Sequence, residues 1–189
     1  MKAVATLLVA VFLAPQAVAE QLAGVTFPEH VTRGGHELVL NGMGLREATV
    51  FMVDVYVAGL YLETKSSDAA SILDPARTKQ LVMRFVRSVG KERLVDAFTE
   101  GFEKNAGRKR EGVASGLATL NAAMADVKKD DVIALTYVPD SGVTVTVKGQ
   151  DVALISGGDF QRVLFSIWLG TQPPNVTLRE GLLGRAAKR

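Results

Sequence analysis

The side chain best suited to chemistry in this sequence is Arg46, which precedes a long β-branched and aromatic stretch ending at Leu62. From residue 49 onward the only acid in that stretch is Asp54. An arginine beside a buried strand is solvated, paired with an acid such as Asp54 or Glu47, or used to bind an anionic or enolate-like ligand. Tyr56 lies ten residues further on and needs a hydrogen-bond partner if its hydroxyl is buried. Arg46 and Tyr56 are therefore the candidate ligand-binding residues, and Arg46 is the candidate catalytic residue if the protein is an enzyme.

No other residues form a familiar catalytic, cofactor-binding or metal-binding pattern. The motifs H-E-x-x-H and G-x-S-x-G are absent, and the two histidines, His30 and His36, fall in short N-terminal strands. The G-M-G at 42–44 precedes a strand, whereas a dinucleotide-binding loop precedes a helix. Asp130 and Asp131 follow two lysines and read as a solvated turn. We predict neither a cofactor nor a metal site.

The strand that carries Tyr56 is predicted to run from about Thr49 to Leu62. With a period of two, one face takes the even-numbered residues from Asp54 to Leu62 and the other face takes the odd-numbered residues from Val53 to Tyr61. Both faces carry apolar bulk, so we expect both to be covered.

The remaining pattern is strands, helices, strands and helices, without regular β-α-β alternation, which favours an α+β domain with a mainly antiparallel sheet. Helices are predicted from their apolar spacing and capping residues, and strands from alternation and turn residues. Before the first long helices, the predicted elements are a hairpin around Gly34-Gly35 with a strand from Glu37 to Leu40, a short helix capped by Ser66 or Ser67, and a strand from Lys79 to Val89. Two helices are predicted next, over Lys91 to Asn105 and Arg110 to Val127. They are followed by strands over Val132 to Val138, Val143 to Val147 and Val152 to Ile155, by a helix capped by Asp159, and by a last helix starting with the capping box at Thr177.

Composition excludes several classes of protein. The chain has 189 residues, 48% of them hydrophobic and 22% charged, which suits one globular domain. Four of the 22 basic residues lie near the ends, and without them 18 bases face 20 acids, so we expect no nucleic-acid partner. The absence of cysteine excludes disulfides, thiolate catalysis and cysteine-ligated metals.

The first 19 residues have the form of a secretory signal peptide. Lys2 is followed by an apolar stretch from Ala3 to Ala14 and by the A-x-A site Ala17-Val18-Ala19. That stretch is shorter than the roughly 20 residues of a membrane span. We predict a signal peptide over 1–19, a domain over 20–184 and a basic flexible tail over 185–189. The mature protein would have no membrane span and would be periplasmic or secreted.

Three stretches together resemble the chalcone isomerase-like family. Gly44-Leu45-Arg46 followed by V-Y-V-A-G-L-Y-L-E at 55–63 is similar to the family pattern G-x-R … K-V-Y-x-x-G-L-Y-L. The M-R-F-V-R at 83–87, which leads into a helix, and the F-S-I-W-L-G at 165–170, which precedes two prolines, agree with it. The resemblance covers nearly all of the predicted mature chain in the same order.

This resemblance implies an open-faced β-sandwich: a large antiparallel sheet covered by helices on one face and by short N-terminal strands on the other. The family's ligand cleft lies between sheet and helices. In plant chalcone isomerases a phenolate adds across an enone to close a flavanone ring, and the arginine at the position of Arg46 holds the oxyanion. A fixed donor in a dry cleft stabilises such a charge strongly.

The sequence departs from the isomerase pattern at the polar positions. Tyr56 occupies the place of a catalytic threonine in the isomerases and of a tyrosine in fatty-acid-binding relatives. Arg93 and Glu100 stand where the isomerases have a tyrosine and an asparagine, and the segment between Arg46 and Tyr56 is shorter. The remaining arginine and tyrosine suit a carboxylate, which they would hold through charge-assisted hydrogen bonds.

Three functions follow from these residues. The leading hypothesis is an exported protein that binds a small hydrophobic carboxylate, such as a fatty acid, through Arg46 and Tyr56. The second is an intramolecular lyase or isomerase of chalcone-isomerase type acting on an enone or phenolic substrate. The third is a non-catalytic structural or partner-binding periplasmic domain in which Arg46 pairs with Asp54 or Glu47.

Overall fold

The computed structural model describes residues 19–48 and 53–185. The predicted signal peptide, apart from Ala19, the last four tail residues and residues 49–52 of the predicted long strand lie outside the described ranges. The strands are β1 (Ala19–Leu22), β2 (Val25–Pro28), β3 (His30–Arg33), β4 (His36–Ala48), β5 (Val53–Leu62), β6 (Lys79–Phe85), β7 (Val132–Val138), β8 (Gly142–Val147) and β9 (Gln150–Ile155). The α-helices are α1 (Ala69–Ile72), α2 (Lys91–Asn105), α3 (Arg110–Ala122), α4 (Gly158–Leu169) and α5 (Val176–Leu182).

The main sheet has seven strands, β3 to β9, which lie side by side in the order of the chain. Every neighbouring pair is antiparallel. At Gly34 and Gly35 the φ angles are +55° and +80°, which suits the tight β3–β4 hairpin that the two glycines predicted. The α+β fold with a large antiparallel sheet is confirmed. No helix in the described ranges is both long and apolar enough to cross a bilayer.

Both faces of β5 are covered, as its alternation predicted, and the two covering layers differ, as the family resemblance implied. Tyr56, Ala58, Leu60 and Leu62 belong to the main core beneath the helices. Val57 and Tyr61 pack instead in a smaller core with Val25 and Phe27 of the β1–β2 hairpin, on the opposite face. The main core receives apolar side chains from α2, α3 and α4, including Phe98, Leu120 and Leu164.

Strand β4 is longer than the sequence predicted, because its glycines allow a helix to approach rather than ending the strand. A Cβ on Gly42 would lie 2.2 Å from the carbonyl oxygen of Gly181, and one on Gly44 would lie 2.5 Å from that of Leu178. Helix α5 therefore packs backbone to backbone on β4. Arg46 consequently lies near the end of β4 and not at the entrance of the next strand.

Several predicted boundaries were wrong, for local reasons. The cap of α1 is Asp68, after the predicted Ser66 or Ser67. The caps of α4 and α5 are Gly157 and Asn175, each two residues before the predicted cap. Helix α3 ends at Ala122, before the predicted Val127, because Val127 forms an isolated antiparallel bridge with Val89 and so has extended backbone. Strand β6 ends at Phe85, and Val89, its predicted end, takes part only in that isolated bridge.

Lys79 is a buried cation at the start of β6, with only 1% of its surface exposed. Its Nζ donates to the carbonyl oxygen of Asp74 at 2.6 Å and to Oε1 of Gln161 at 3.2 Å, and lies 4.8 Å from the ring centre of Tyr137. Burial lowers the pKa of Lys79 to about 8. This lysine ties the segment before β6 to helix α4.

Candidate functional site

A cavity of about 660 Å³ lies between the sheet and the helical layer. Strands β4, β5, β6 and β7 form its floor, while α2, α4 and the segment that leads into α5 form its walls. Its volume falls within the range of small-molecule sites, about 300 to 1,000 Å³. The antiparallel register places Tyr56 directly between Arg46 of β4 and Phe85 of β6, and all three side chains line the cavity.

Arg46 is half-buried and held from one side. Its Nη1 donates to Oδ1 of Asn175 at 3.0 Å and also to the carbonyl oxygen of Glu47. Among the described residues, the hydrogen bonds of this guanidinium come from Nη1 alone, and no carboxylate lies within ion-pair distance of it. Within the described residues the Nε and Nη2 edge has no hydrogen-bond partner, and a carboxylate would fit such an edge with two parallel hydrogen bonds.

Tyr56 is oriented by a tryptophan. Its hydroxyl oxygen accepts a hydrogen bond from Nε1 of Trp168 at 2.9 Å, and its ring packs edge-on against Phe85 with the ring centres 5.6 Å apart. Burial raises the pKa of Tyr56, and the smaller opposing effects of Trp168 and Arg46 do not reverse that direction. The hydroxyl therefore keeps its proton, and since indole only donates, that proton is free to point to a ligand.

The cavity mouth comprises the exposed lining residues Arg87, Ser88, Arg93, Ala97, Glu100, Lys104 and Gln172. Nζ of Lys104 donates to Oε1 of Glu100 at 2.5 Å. That hydrogen bond, followed by the charges of Lys104 and Arg46, lowers the pKa of Glu100. The one acid of the mouth is thus already paired, so the positive charges dominate the entrance.

The interior of the cavity is apolar. The apolar stripe of α2 was predicted to serve only the core, yet Leu94 and Phe98 of that stripe also line the cavity. The strands and α4 complete the apolar wall. The buried members are Met83, Phe85, Leu94, Phe98, Ile133, Ile167 and Trp168. Such a lining favours an aliphatic or aromatic ligand body.

The structure brings the two predicted ligand-binding residues to one cavity and leaves the other polar candidates outside it. His30 and His36 are exposed in β3 and β4, and neither lines the cavity. Asp130 lies in a turn with φ of +72°, and Oδ2 of Asp131 accepts from the backbone N–H of Lys128. In the described part of the chain, no three His, Cys, Asp or Glu side chains cluster in a way that could hold a metal ion.

Sequence reasoning missed two residues that position the site. Trp168 fixes the direction of the Tyr56 hydroxyl, and Asn175 fixes Arg46. Trp168 belongs to the stretch F-S-I-W-L-G, which carried part of the family resemblance, and Asn175 directly follows the two prolines after that stretch. Nothing in their spacing shows which partner each would meet, because Trp168 and Tyr56 are 112 residues apart.

Arg46 and Tyr56 both present hydrogen-bond donors to the cavity. The site therefore suits a ligand group that only accepts, such as a carboxylate, phosphate or phenolate oxygen. The apolar interior adds a requirement for a hydrophobic body.

Comparisons with known proteins agree with this architecture. Residues 19–184 match the family described as chalcone isomerase-like. A solved fatty-acid binding protein from Arabidopsis thaliana is similar, with 17% identity, a TM-score of 0.73, and coverage of 89% of this chain and 96% of that chain. No curated protein matches. The likeness to the Arabidopsis structure shows a shared fold, and since the family match spans most of the sequence, the chain belongs to the chalcone isomerase-like family.

Proposed function

We propose that this protein binds a small hydrophobic carboxylate, such as a fatty acid, with the carboxylate at Arg46 and Tyr56 and the chain in the apolar interior. The observation that carries the proposal is that Arg46 and Tyr56, which are opposite each other across β4 and β5, both line one cavity with an apolar interior. The fatty-acid binding protein of similar fold supports the same ligand class.

The electrostatics of the site favour a carboxylate over a neutral polar group. A hydrogen bond from a charged donor contributes about 1.5 to 3 kcal/mol, roughly twice that of a neutral pair. Both donors are partly or fully withdrawn from water, which strengthens their interaction with an anion. A neutral alcohol of the same chain length would use the apolar wall but only part of this donor set.

Titration with dodecanoate tests the proposal, with calorimetry as the readout and the fluorescence of Trp168, the one tryptophan of the sequence, as a second signal. Arg46→Met and Tyr56→Phe should each weaken dodecanoate binding by about tenfold or more, from the loss of a charge-assisted hydrogen bond. Binding of dodecan-1-ol should be weaker and nearly unaffected by Arg46→Met.

Arg84→Met is the matched control, because Arg84 lies on β6 between two cavity-facing residues and is not part of the cavity lining. It should leave both affinities unchanged. Equal dodecanoate binding by wild type and Arg46→Met would refute carboxylate recognition. If neither dodecanoate nor dodecan-1-ol binds, a role for the cavity in binding hydrophobic ligands would be refuted.

Ring closure of a chalcone is the second candidate, favoured by one observation: the guanidinium of Arg46 lines the cavity with an edge free for an oxyanion. At the positions equivalent to the isomerase tyrosine and asparagine, Arg93 and Glu100 also line the cavity, but at its exposed mouth. Flavanone formation followed by absorbance tests this candidate. A rate that equals the rate in buffer would exclude it for that substrate.

A further inference from the structure

The charge at the cavity mouth exceeds what a single carboxylate would neutralise. Four cationic side chains line the cavity, Arg46, Arg87, Arg93 and Lys104, against one acid, Glu100. Glu100 is already paired with Lys104. Within the described ranges, neither Arg87 nor Arg93 takes part in an ion pair. A carboxylate at Arg46 would leave those two arginines without a counter-charge.

Arg87 and Arg93 line the same cavity as the proposed head-group donors Arg46 and Tyr56. Tyr56 is opposite Arg46 on one side and opposite Phe85 on the other. Arg87 comes two residues after Phe85, so it lies at the same end of the sheet. Helix α2 begins at Lys91, shortly after Arg87, and Arg93 lies in its first turn. The cavity that holds Arg46 and Tyr56 therefore also carries the positive charge of Arg87 and Arg93.

The start of α2 does not supply a second anion site, because a carboxylate already occupies it. The backbone N–H of Lys91, the first residue of α2, donates to Oδ1 of Asp126 at 2.8 Å. The preference for an anion therefore rests on the side chains that line the cavity. Among them Tyr56, only 9% exposed, places a buried hydroxyl in the same cavity as Arg87 and Arg93.

We propose that the preferred ligand is a single-chain amphiphile whose head group carries two negative charges, as in a phosphomonoester, rather than a simple fatty acid. This inference rests on the proposed function, because it keeps the chain in the apolar interior and the head group at Arg46 and Tyr56. The additional charge binds at Arg87 and Arg93. Arginine suits this role since its planar fork matches phosphate oxygens.

Calorimetry with dodecyl phosphate and dodecanoate tests the inference on the full mature chain. Wild type should bind dodecyl phosphate about tenfold more tightly than dodecanoate, from the added charge-assisted hydrogen bonds. The double variant Arg87→Gln, Arg93→Gln should lose about tenfold for dodecyl phosphate but less than about threefold for dodecanoate. Arg108→Gln, an exposed arginine outside the cavity lining, is the matched control and should change neither affinity.

The possible results separate this inference from the proposed function. Equal affinities of wild type for the two ligands, or equal losses for both in the double variant, would overturn the doubly charged head group. The proposed function would stand in that case if dodecanoate still bound in a manner that depends on Arg46. Displacement of dodecyl phosphate by an equal concentration of inorganic phosphate would show a phosphate site and overturn the lipid assignment. Failure of both amphiphiles to bind would overturn both proposals.

Discussion

The buried Lys79 predicts an unusual dependence of stability on pH. In the unfolded chain this lysine has a pKa of 10.5, whereas in the folded protein its pKa is about 8. Between those values the unfolded state binds more protons, so the free energy of unfolding rises as pH increases. With these two pKa values the gain between about pH 7 and about pH 9.5 is about 2 kcal/mol.

Urea unfolding of wild type and Lys79→Met at several pH values in this range measures the effect. Methionine has a similar length and does not titrate, so wild type should gain about 2 kcal/mol relative to the variant across the range. Burial raises the pKa of Tyr61 to about 12, but that group is present in both proteins and its contribution cancels. Lys129→Met, at an exposed position, should follow wild type. Parallel curves for wild type and Lys79→Met would refute the argument.

Three further predictions concern the backbone, the site and the N-terminus. Gly44→Ala should destabilise the protein by about 2 kcal/mol or more because its Cβ would meet the backbone of α5, while Gly112→Ala, in a helix with open space around it, should be neutral or stabilising; urea unfolding compares them. Asn175→Ala removes an acceptor of Arg46 and should weaken dodecanoate binding about fivefold, with dodecan-1-ol binding unchanged in calorimetry. Protein purified from cells should begin at Glu20, as N-terminal sequencing would show, and an N-terminus at Met1 in all fractions would refute the predicted cleavage.

The elements that sequence predicted best are those whose signals are local. Helix α2 runs from Lys91 to Asn105 as predicted, because its apolar spacing is regular and Gly90 bounds it. Strand β7 also has its predicted ends, with a turn on either side. In both cases the residues that decide the structure lie within the element or next to it.

Prediction failed for residues whose structural role depends on a contact with a distant part of the sequence. Gly42 and Gly44 look like loop residues in sequence, yet they permit the close approach of α5, which starts more than 130 residues later. Similarly, Thr177 has a capping-box pattern, but the chain enters α5 at Asn175, whose side chain bonds Arg46 instead of capping the helix.

The site was partly predictable for the same reason. The alternation along β5 predicted that Tyr56 shares a face with Ala58, Leu60 and Leu62, which the structure places beneath the helices, and the family resemblance selected Arg46. Their pairing across β4 and β5 depends on the length of β4, which the glycines concealed. Sequence did not predict that Arg87 and Arg93 form a group at the cavity mouth. They line one cavity only because the segment after β6 and the start of α2 border the same opening.

The packing of α5 on β4 makes the two ends of the domain interdependent. Asn41 donates to the carbonyl oxygen of Leu182 at 2.8 Å, and Nη1 of Arg46 donates to Oδ1 of Asn175 at 3.0 Å. Contacts that span more than 125 residues therefore hold β4 and Arg46, the proposed ligand-binding arginine, in place. The site is therefore assembled late along the polypeptide, and a nascent chain that lacks its C-terminal helix has no complete site. Under the proposed function, a ligand bound at Arg46 should therefore protect the C-terminal helix from hydrogen exchange and proteolysis, as well as the cavity itself.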